Sequence, residues 1–273
     1  MIEEKIFTFD RRPVLLGVDE AGRGPVIGPM VYGCAFAPID TDFKSYGFAD
    51  SKQLNPDQRD QLFSLIKASE QIGYITHALS AEELSTKMLR KNKYNLNAIS
   101  HDTCAGLIRR ALERGVVVTE VYIDTVGDPE KYQQKLQYIF PGIKVTVAKK
   151  ADSLYPIVSA ASICAKVTRD LLVQAIPADD VPVGSGYPAD ERSVKYLESI
   201  FHPVLGFNDY VRYSWSTVDE MIKTKGGVDF VWHEENDQEN IKGAQAMTNF
   251  LNGKRKIYAR KHMKLAAVPT DLI

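Results

Sequence analysis

The amino-acid sequence predicts an α/β domain in which helices flank a mixed five-stranded sheet. Three early runs rich in apolar residues are typical of consecutive antiparallel strands, and helices then alternate with strands along the chain. The predicted strands cover residues 14–19, 30–37, 72–79, 116–124 and 144–148. The predicted helices cover residues 56–68, 81–90, 96–114, 130–139 and 155–175.

Each element depends on a local pattern. The first two strands are joined by a connection rich in glycine and proline, which indicates an irregular hairpin. Strand 116–124 is rich in valine, a β-branched residue that favours strands. Helix 96–114 repeats small or apolar residues at every fourth position, namely Ile99, Thr103, Leu107 and Ala111. The face of helix 155–175 predicted to be buried includes Ile157, Ala160, Ala161, Cys164, Val167 and Leu171.

The pattern changes toward the C-terminus and divides the chain into two parts. Beyond Ile176 the sequence is rich in loop-forming residues, and from about Gly226 it becomes polar. We therefore expect a main domain over 1–225 and a helical C-terminal extension over 226–273. A narrow apolar stripe in the extension, formed by Ile241, Ala244, Thr248 and Leu251, could dock a partner or fold back on the main domain.

Composition limits the classes of protein that remain. The 34 basic and 35 acidic residues give a net charge of −1, which argues against tight, non-specific coating of DNA and leaves nuclease activity open. No apolar run approaches the roughly 20 residues that span a bilayer, and residues 1–10 lack the pattern of a signal peptide. Cys34, Cys104 and Cys164 are widely separated in apolar surroundings, which predicts buried thiols in a reducing compartment.

Four carboxylates follow or end predicted strands. Asp19 and Glu20 end the first strand, Asp124 ends the fourth, and Asp152 follows the fifth. If these three strands are parallel, all four carboxylates reach one edge of the sheet, where open α/β sheets bind ligands. Oxygen ligands suit Mg²⁺ or Mn²⁺, and such ions support phosphodiester hydrolysis. Turn formation and helix capping are the better explanations for each residue taken singly, and only the matching positions of all four make a metal site an equally good one.

Several motifs resemble the type 2 ribonuclease H family. The first is Asp19-Glu20-Ala21-Gly22-Arg23-Gly24-Pro25, and the others begin at Asp50, Tyr122, Lys150, Ser159 and Gly184. The resemblance covers about residues 14–215. Residues 93–97, with the sequence KYNLN, and residues 159–166, with the sequence SAASICAK, are more similar to the eukaryotic catalytic subunit than to the bacterial single-chain form.

The resemblance implies a ribonuclease H-like fold and a set of site residues. Asp19, Glu20, Asp124 and Asp152 would be the catalytic, metal-binding set. Gly22, Arg23 and Gly24 would read the 2′-hydroxyl, which alone separates RNA from DNA at one position. Tyr187 would lie against the sugar of the following deoxynucleotide. Lys52 would contact phosphate, although a solvated loop lysine is a comparable explanation. The segment 171–183 is shorter than expected for eukaryotic relatives.

The resemblance also implies a reaction and partners. We expect an endoribonuclease that hydrolyses the RNA strand of RNA–DNA hybrids and cuts 5′ of single ribonucleotides in duplex DNA, with Mg²⁺ or Mn²⁺ as cofactor. Two accessory chains would complete a heterotrimer. A nuclear location follows from the eukaryotic likeness, with Lys254-Arg255-Lys256 as a weak import signal.

Other interpretations of the sequence stay open. One is a nuclease or strand transferase of the same fold that cuts all-DNA duplexes, and another is a non-catalytic scaffold protein. The basic residues between Lys87 and Lys93 could bind a nucleic-acid backbone or form a solvated helix end. His101 lies at helical spacing, which favours a structural role. A phosphate loop over residues 22–28 is excluded, because no Gly-Lys-Ser/Thr follows.

Overall fold

In the computed structural model, which describes residues 1–48, 54–92 and 94–227, a six-stranded mixed sheet lies between two layers of helices. The strands are β1 (Ile2–Lys5), β2 (Val14–Ala21), β3 (Met30–Pro38), β4 (Gly73–Leu79), β5 (Val118–Asp124) and β6 (Lys144–Ala148). Their order across the sheet is β1-β4-β3-β2-β5-β6. The first four strands in this order pair antiparallel, whereas β2, β5 and β6 are parallel. The mixed α/β sheet expected from the sequence is confirmed.

The helices cover both faces of the sheet. They are α1 (Pro56–Ala68), α2 (Ala81–Leu89), α3 (Leu96–Glu113), α4 (Pro129–Ile139), α5 (Ala151–Leu154), α6 (Pro156–Gln174), α7 (Glu191–Ile200) and α8 (Ser216–Thr224). Alternate residues of β3 serve different cores, as the pleat of a strand requires. Cys34 and Phe36 pack with α3 and α4, whereas Ala35 and Ala37 pack with α1 and α6.

Helix α6 lies directly on the backbone of β2 and β3. A β-carbon at Gly17 would lie 2.5 Å from the backbone of Ile157, and one at Gly33 would lie 2.5 Å from the carbonyl oxygen of Ala161. Glycine at both positions therefore permits the close approach. As a result, the start of α6 and the residues just before it are held against the end of β2.

The sheet has one strand more than the five that the sequence predicts. β1 is an edge strand of four residues, and its sequence IEEK has neither the length nor the alternation that marks a strand. Contacts distant in sequence stabilise it instead. Glu4 forms ion pairs with Arg110 and Arg114 of the region around the end of α3, and Lys5 Nζ donates to carbonyl oxygens at the end of α1, including that of Ile66 at 3.1 Å.

The region beyond Ile176 contains two helices that the sequence analysis did not predict. In α7, Asp190 caps the N-terminus, and Ser193, Tyr196 and Leu197 are buried at helical spacing. α7 and α8 form a third core with the β2–β3 connection. The predicted burial of Leu171 is also wrong, because this side chain is 55% exposed.

The C-terminal extension lies almost entirely outside the described residues. The last described helix ends at Thr224, and residues 228–273, including the apolar stripe from Ile241 to Leu251 and Lys254-Arg255-Lys256, are among those not described. The boundary at 225 therefore stays a prediction. Within the described ranges, no helix combines the length and apolar character needed to cross a membrane.

Candidate active site

Three parallel strands end at one edge of the sheet, and two of the predicted site carboxylates lie there. Val18 of β2 is the register partner of Ile123 of β5, so the residues that follow, Asp19 and Asp124, are neighbours. Asp124 is in turn the register partner of Ala148, the last residue of β6. The parallel arrangement that the sequence analysis assumed for these strands is confirmed.

Asp152 is brought to the same edge by a tight connection after β6. Lys150 has a φ of 56°, which reverses the chain before the short helix α5. The backbone N–H of Ala151 then donates to Asp124 Oδ1 at 3.0 Å. Asp152 is the next residue and only 3% exposed. The carboxylate of Asp152 therefore comes from a helix, and the residue before it, Ala151, holds Asp124 in place.

Asp19 and Glu20 point to opposite faces of β2, as successive strand residues do. Asp19 faces α6, where its side chain contacts Ser162. Glu20 is the cross-strand partner of Tyr32, which belongs to the core beneath α3. Glu20 is only partly buried, whereas Asp19 is 6% exposed. The two carboxylates therefore flank the end of the strand instead of lying side by side.

The pKa of the buried Asp19 carboxyl is raised. Burial is the main cause that raises the pKa of Asp19 to about 7, a hydrogen bond from Ser162 opposes the rise, and the charge of Asp124 adds to it. Lys166 Nζ donates to Ser162 Oγ at 3.0 Å, and its positive charge also favours the ionised form of Asp19. The backbone N–H of Glu20 donates to Asp19 Oδ1 at 2.8 Å.

This carboxylate set fits a hard cation in its chemistry. The four predicted ligands offer oxygen atoms alone, which Mg²⁺ and Mn²⁺ prefer. Crowding and burial raise the pKa of Asp19, and a nearby cation would relieve both effects. Across residues 1–48, 54–92 and 94–227, no three acidic, histidine or cysteine side chains already converge on one ion position. Ion binding would therefore require the carboxylates to draw together.

The turn that follows Asp19-Glu20 is held close to the carboxylates. Gly22 has a φ of 77°, a conformation that favours glycine. The Arg23 side chain points to the N-terminal part of α3, where it donates to Ser100 Oγ at 2.7 Å and also to Asn97. Beside the turn lies a depression of about 480 Å³, lined by Arg23, Gly24, Met88, Leu96, Ser214, Trp215 and Ser216.

Tyr187, the residue expected to lie against the sugar of the following deoxynucleotide, lies against the same turn. A β-carbon at Gly24 would be 3.3 Å from Tyr187 Cε1, and the ring is 43% exposed. The Arg169 guanidinium lies 5.7 Å from the centre of the ring and donates to the carbonyl of Ser185. Tyr187 is therefore supported by a residue of α6. This helix continues to Gln174 although the 171–183 segment is short.

The remaining sequence candidates have other contacts or lie outside the described residues. The structural role expected for His101 is confirmed, because its ring stacks on Tyr132 with centres 3.8 Å apart. Lys87 forms an ion pair with Glu83 at 2.6 Å. Lys52, the predicted phosphate contact, and Lys93 lie outside the described residues. Cys34, Cys104 and Cys164 are buried free thiols, as expected.

Sequence reasoning assigned no role to several residues that shape the site. Ser162 and Lys166 lie four residues apart on α6, and this spacing is the one signal that could have placed them on one face. Arg169 carries no comparable signal, because its contacts with residues 185–187 depend on the loop that returns to α6. The same is true of Arg212 and Trp215, whose partners in the turn are about 190 residues away in sequence.

Comparisons with known proteins identify the family of this chain. A sequence profile described as Ribonuclease HII matches residues 16–218. One component of human ribonuclease H2 is 47% identical over 251 residues, which cover 89% of this chain and 83% of the human protein. The corresponding component of ribonuclease H2 from Schizosaccharomyces pombe is 48% identical over 249 residues, covering 86% of this chain and 76% of that protein. The crystal structure of ribonuclease H2 from Pyrococcus horikoshii OT3 is similar with a TM-score of 0.66 and 32% identity, covering 77% of this chain and 98% of that one.

Proposed function

This chain belongs to the ribonuclease HII family of ribonuclease H hydrolases, which act on RNA–DNA hybrids, and we propose that it also cuts 5′ of single ribonucleotides in duplex DNA. The observation that carries the proposal is the direct continuation of Asp19-Glu20 into the 22–24 turn, with the Tyr187 ring against Gly24. The carboxylates proposed to serve hydrolysis are therefore adjacent in the chain to the backbone turn proposed to read a sugar hydroxyl.

We assign the catalytic and metal-binding roles to Asp19, Glu20, Asp124 and Asp152. A bound Mg²⁺ or Mn²⁺ supplies the charge that activates water and stabilises the departing oxygen. Asp19 and Asp152 provide buried negative charge, and the Ala151 N–H holds Asp124 in one orientation. The oxygen-only set of ligands supports the binding of a divalent cation. The raised pKa of Asp19 supports competition between that cation and a proton for the Asp19 carboxylate.

In the proposed reaction, the oxygen of a water molecule adds to phosphorus on the 5′ side of the ribonucleotide. The bond from phosphorus to the 3′ oxygen of the preceding nucleotide breaks, and that oxygen takes a proton. The products are a 3′-hydroxyl and a 5′-phosphate on the ribonucleotide. The 2′-hydroxyl takes no part in bond breaking, and its role is to be recognised by Gly22, Arg23 and Gly24.

Tyr187 has a positioning role in this proposal. Its ring, which contacts Gly24 and lies near the Arg169 guanidinium, is 43% exposed and offers a flat apolar surface for the sugar that follows the ribonucleotide. A deoxyribose carries no 2′-hydroxyl and can approach that surface closely. We retain Lys52 as a proposed phosphate contact on the basis of the sequence alone.

The similar human and Schizosaccharomyces pombe proteins are each named as one component of ribonuclease H2, which supports a larger assembly for this chain. We propose a heterotrimer with two accessory chains, a main catalytic domain over 1–225 and a docking role for residues 226–273. A nuclear location and a part in removing ribonucleotides from DNA during replication and repair belong to the same proposal.

Cleavage of three duplexes of one sequence tests the proposed function. The full-length chain, with Mg²⁺ and with or without the accessory chains, is incubated with an RNA–DNA hybrid, with DNA holding one ribonucleotide, and with all-DNA duplex. We expect cuts in the first two alone, and none after chelation or in Asp152→Asn. Glu113→Gln removes a similar charge from the exposed end of α3 and is the control that stays active. Equal cutting of all-DNA duplex would contradict the proposal.

A further inference from the structure

Arg212 is a buried guanidinium that bonds to the backbone of the 22–24 turn. The residue is 0% exposed. Nη2 donates to the Gly22 carbonyl at 2.6 Å, Nη1 donates to the Arg23 carbonyl at 3.1 Å, and Nε donates to the Gly28 carbonyl at 2.9 Å. Burial lowers the pKa of Arg212 to about 9, so the side chain still carries its charge at neutral pH. Hydrogen bonds from a charged donor are stronger than those between neutral groups.

Trp215 completes the set of donors to the turn. Its indole Nε1 donates to the Gly24 carbonyl at 3.1 Å, and its ring lies 4.8 Å from the central carbon of the Arg212 guanidinium. Each of the three carbonyl oxygens in the turn thus accepts a hydrogen bond from the four-residue 212–215 segment.

The 212–215 segment is itself fixed to the rest of the domain. The backbone N–H of Arg212 donates to the Val26 carbonyl at 2.9 Å. The backbone N–H of Tyr213 donates to Ser85 Oγ of α2 at 3.0 Å. Because Ser85 belongs to a helix outside the β2–β3 connection, this bond ties the position of the turn to the folded domain.

Held carbonyls also determine where the amides of the turn point. The Gly22 carbonyl shares a planar peptide unit with the Arg23 N–H, and the Arg23 carbonyl shares one with the Gly24 N–H. Fixing these two oxygens therefore fixes the direction of both N–H groups. The Gly24 carbonyl precedes Pro25, which has no N–H. The hydrogen bond from Trp215 therefore fixes the position of the turn but does not orient an amide.

We propose that the 212–215 segment is a positioning element for ribonucleotide recognition: Arg212 sets the direction in which the Arg23 and Gly24 amides meet the ribose, and Trp215 supports it. This inference rests on the proposed role of the turn in reading the 2′-hydroxyl. Arg212 and Trp215 act through the turn and do not touch the reacting atoms.

A purely structural role for Arg212 makes a different prediction. Loss of a structural residue reduces the fraction of folded protein and lowers every activity alike. Loss of a positioning residue changes the preference for a ribonucleotide over a deoxynucleotide in the protein that remains folded. The ratio of two affinities, measured on folded protein, separates the two roles.

The test compares Arg212→Met, Trp215→Phe and Val218→Ala in the full-length chain. Val218 is 0% exposed on α8 and is not among the residues that bond to the turn, so its variant is the matched control for lost stability. Affinities for a duplex with one ribonucleotide and for the all-DNA duplex are measured in an Asp124→Asn background, which prevents cleavage. Thermal melting fixes a temperature at which every variant is folded.

We expect Arg212→Met to reduce the ribonucleotide preference about tenfold, because loss of a charged donor that holds two carbonyls of the turn should cost about one hydrogen bond between a turn amide and the 2′-hydroxyl. Trp215→Phe should reduce it by roughly twofold, since only one neutral bond is lost, and Val218→Ala should leave it unchanged. An unchanged preference in folded Arg212→Met, or an equal loss in Val218→Ala, would overturn the inference. If Arg212→Met does not fold, an unchanged preference in Trp215→Phe overturns it. A wild-type chain without any ribonucleotide preference would overturn the proposed function instead.

Discussion

Replacing Gly22 by alanine should separate the geometry of the turn from the stability of the fold. Gly22 has a φ of +77°, and a left-handed backbone costs an alanine about 1–2 kcal/mol. The new β-carbon would also lie 2.8 Å from the carbonyl oxygen of Pro29, whereas carbon and carbonyl oxygen normally approach to about 3.3 Å. The turn must therefore move by a few tenths of an ångström.

The displacement sets the expected magnitude for Gly22→Ala. A misplacement of about 1 Å can reduce an enzymatic rate by about 100-fold, so a shift of about half that size predicts a loss of roughly tenfold in kcat/KM. Gly115→Ala is the matched control, because Gly115 has a φ of +84° but its β-carbon would meet nothing closer than 3.7 Å. Gly115 also lies before β5, at the end of the sheet opposite Asp124.

The assay measures the melting temperature and kcat/KM on a duplex with one ribonucleotide for both variants. Both should melt a few degrees lower, since about 1 kcal/mol shifts Tm by roughly 2–4 °C in a domain of this size. Only Gly22→Ala should lose activity when both are assayed below their melting temperatures. Full activity in folded Gly22→Ala would refute the assignment of the turn to substrate recognition.

Four further perturbations follow from the same geometry. Asp124→Asn should abolish cleavage and keep the fold, which a circular dichroism melt and a cleavage assay check together; a wild-type rate would exclude the metal site. Tyr187→Phe should retain more activity than Tyr187→Ala, because the ring face contacts the sugar, whereas equal loss would assign the effect to the hydroxyl. In chelator, the free energy of unfolding of the wild type relative to that of Asp19→Asn should fall as pH rises from about 4 to 7, because the raised pKa of Asp19 keeps a proton on the native state that the unfolded state has released; Mg²⁺ should reverse this trend, and a difference independent of pH would contradict it. Truncation before Gly227 should weaken co-purification with the accessory chains more than it lowers Tm, and normal binding by the truncated chain would contradict a docking role.

The parts of the fold that the sequence predicted are those with long, regular patterns. The predicted helix over residues 56–68 has the observed bounds of α1, and the structure shows a capping box at Asn55 with proline at the first helical position. Strand β1 was missed because contacts with α1 and α3 stabilise it and its own residues do not alternate. Helix α7 was missed although Asp190 offered a capping signal, because the prolines and glycines before it favoured a loop.

Some residues of the site could likewise be predicted from local sequence patterns, whereas others depend on contacts between residues distant in sequence. Asp19 and Asp124 could be placed because each ends a predicted strand and because those strands were assumed to be parallel. The roles of the site residues came from resemblance, since strand-end position alone does not separate a ligand from a turn former. Arg212 could not be found, because its partner Gly22 is 190 residues away in sequence and an isolated arginine in a loop carries no pattern.

The most direct test of the proposed mechanism is the chemistry of the cut ends. A duplex with one ribonucleotide is cleaved in water enriched in ¹⁸O with Mg²⁺, and both fragments are analysed by mass spectrometry. Hydrolysis at the carboxylate site predicts a 3′-hydroxyl on the upstream fragment and one ¹⁸O in the 5′-phosphate of the ribonucleotide. A cut on the 3′ side of the ribonucleotide that leaves a 2′,3′-cyclic phosphate and no ¹⁸O would make the 2′-hydroxyl the nucleophile and contradict the mechanism.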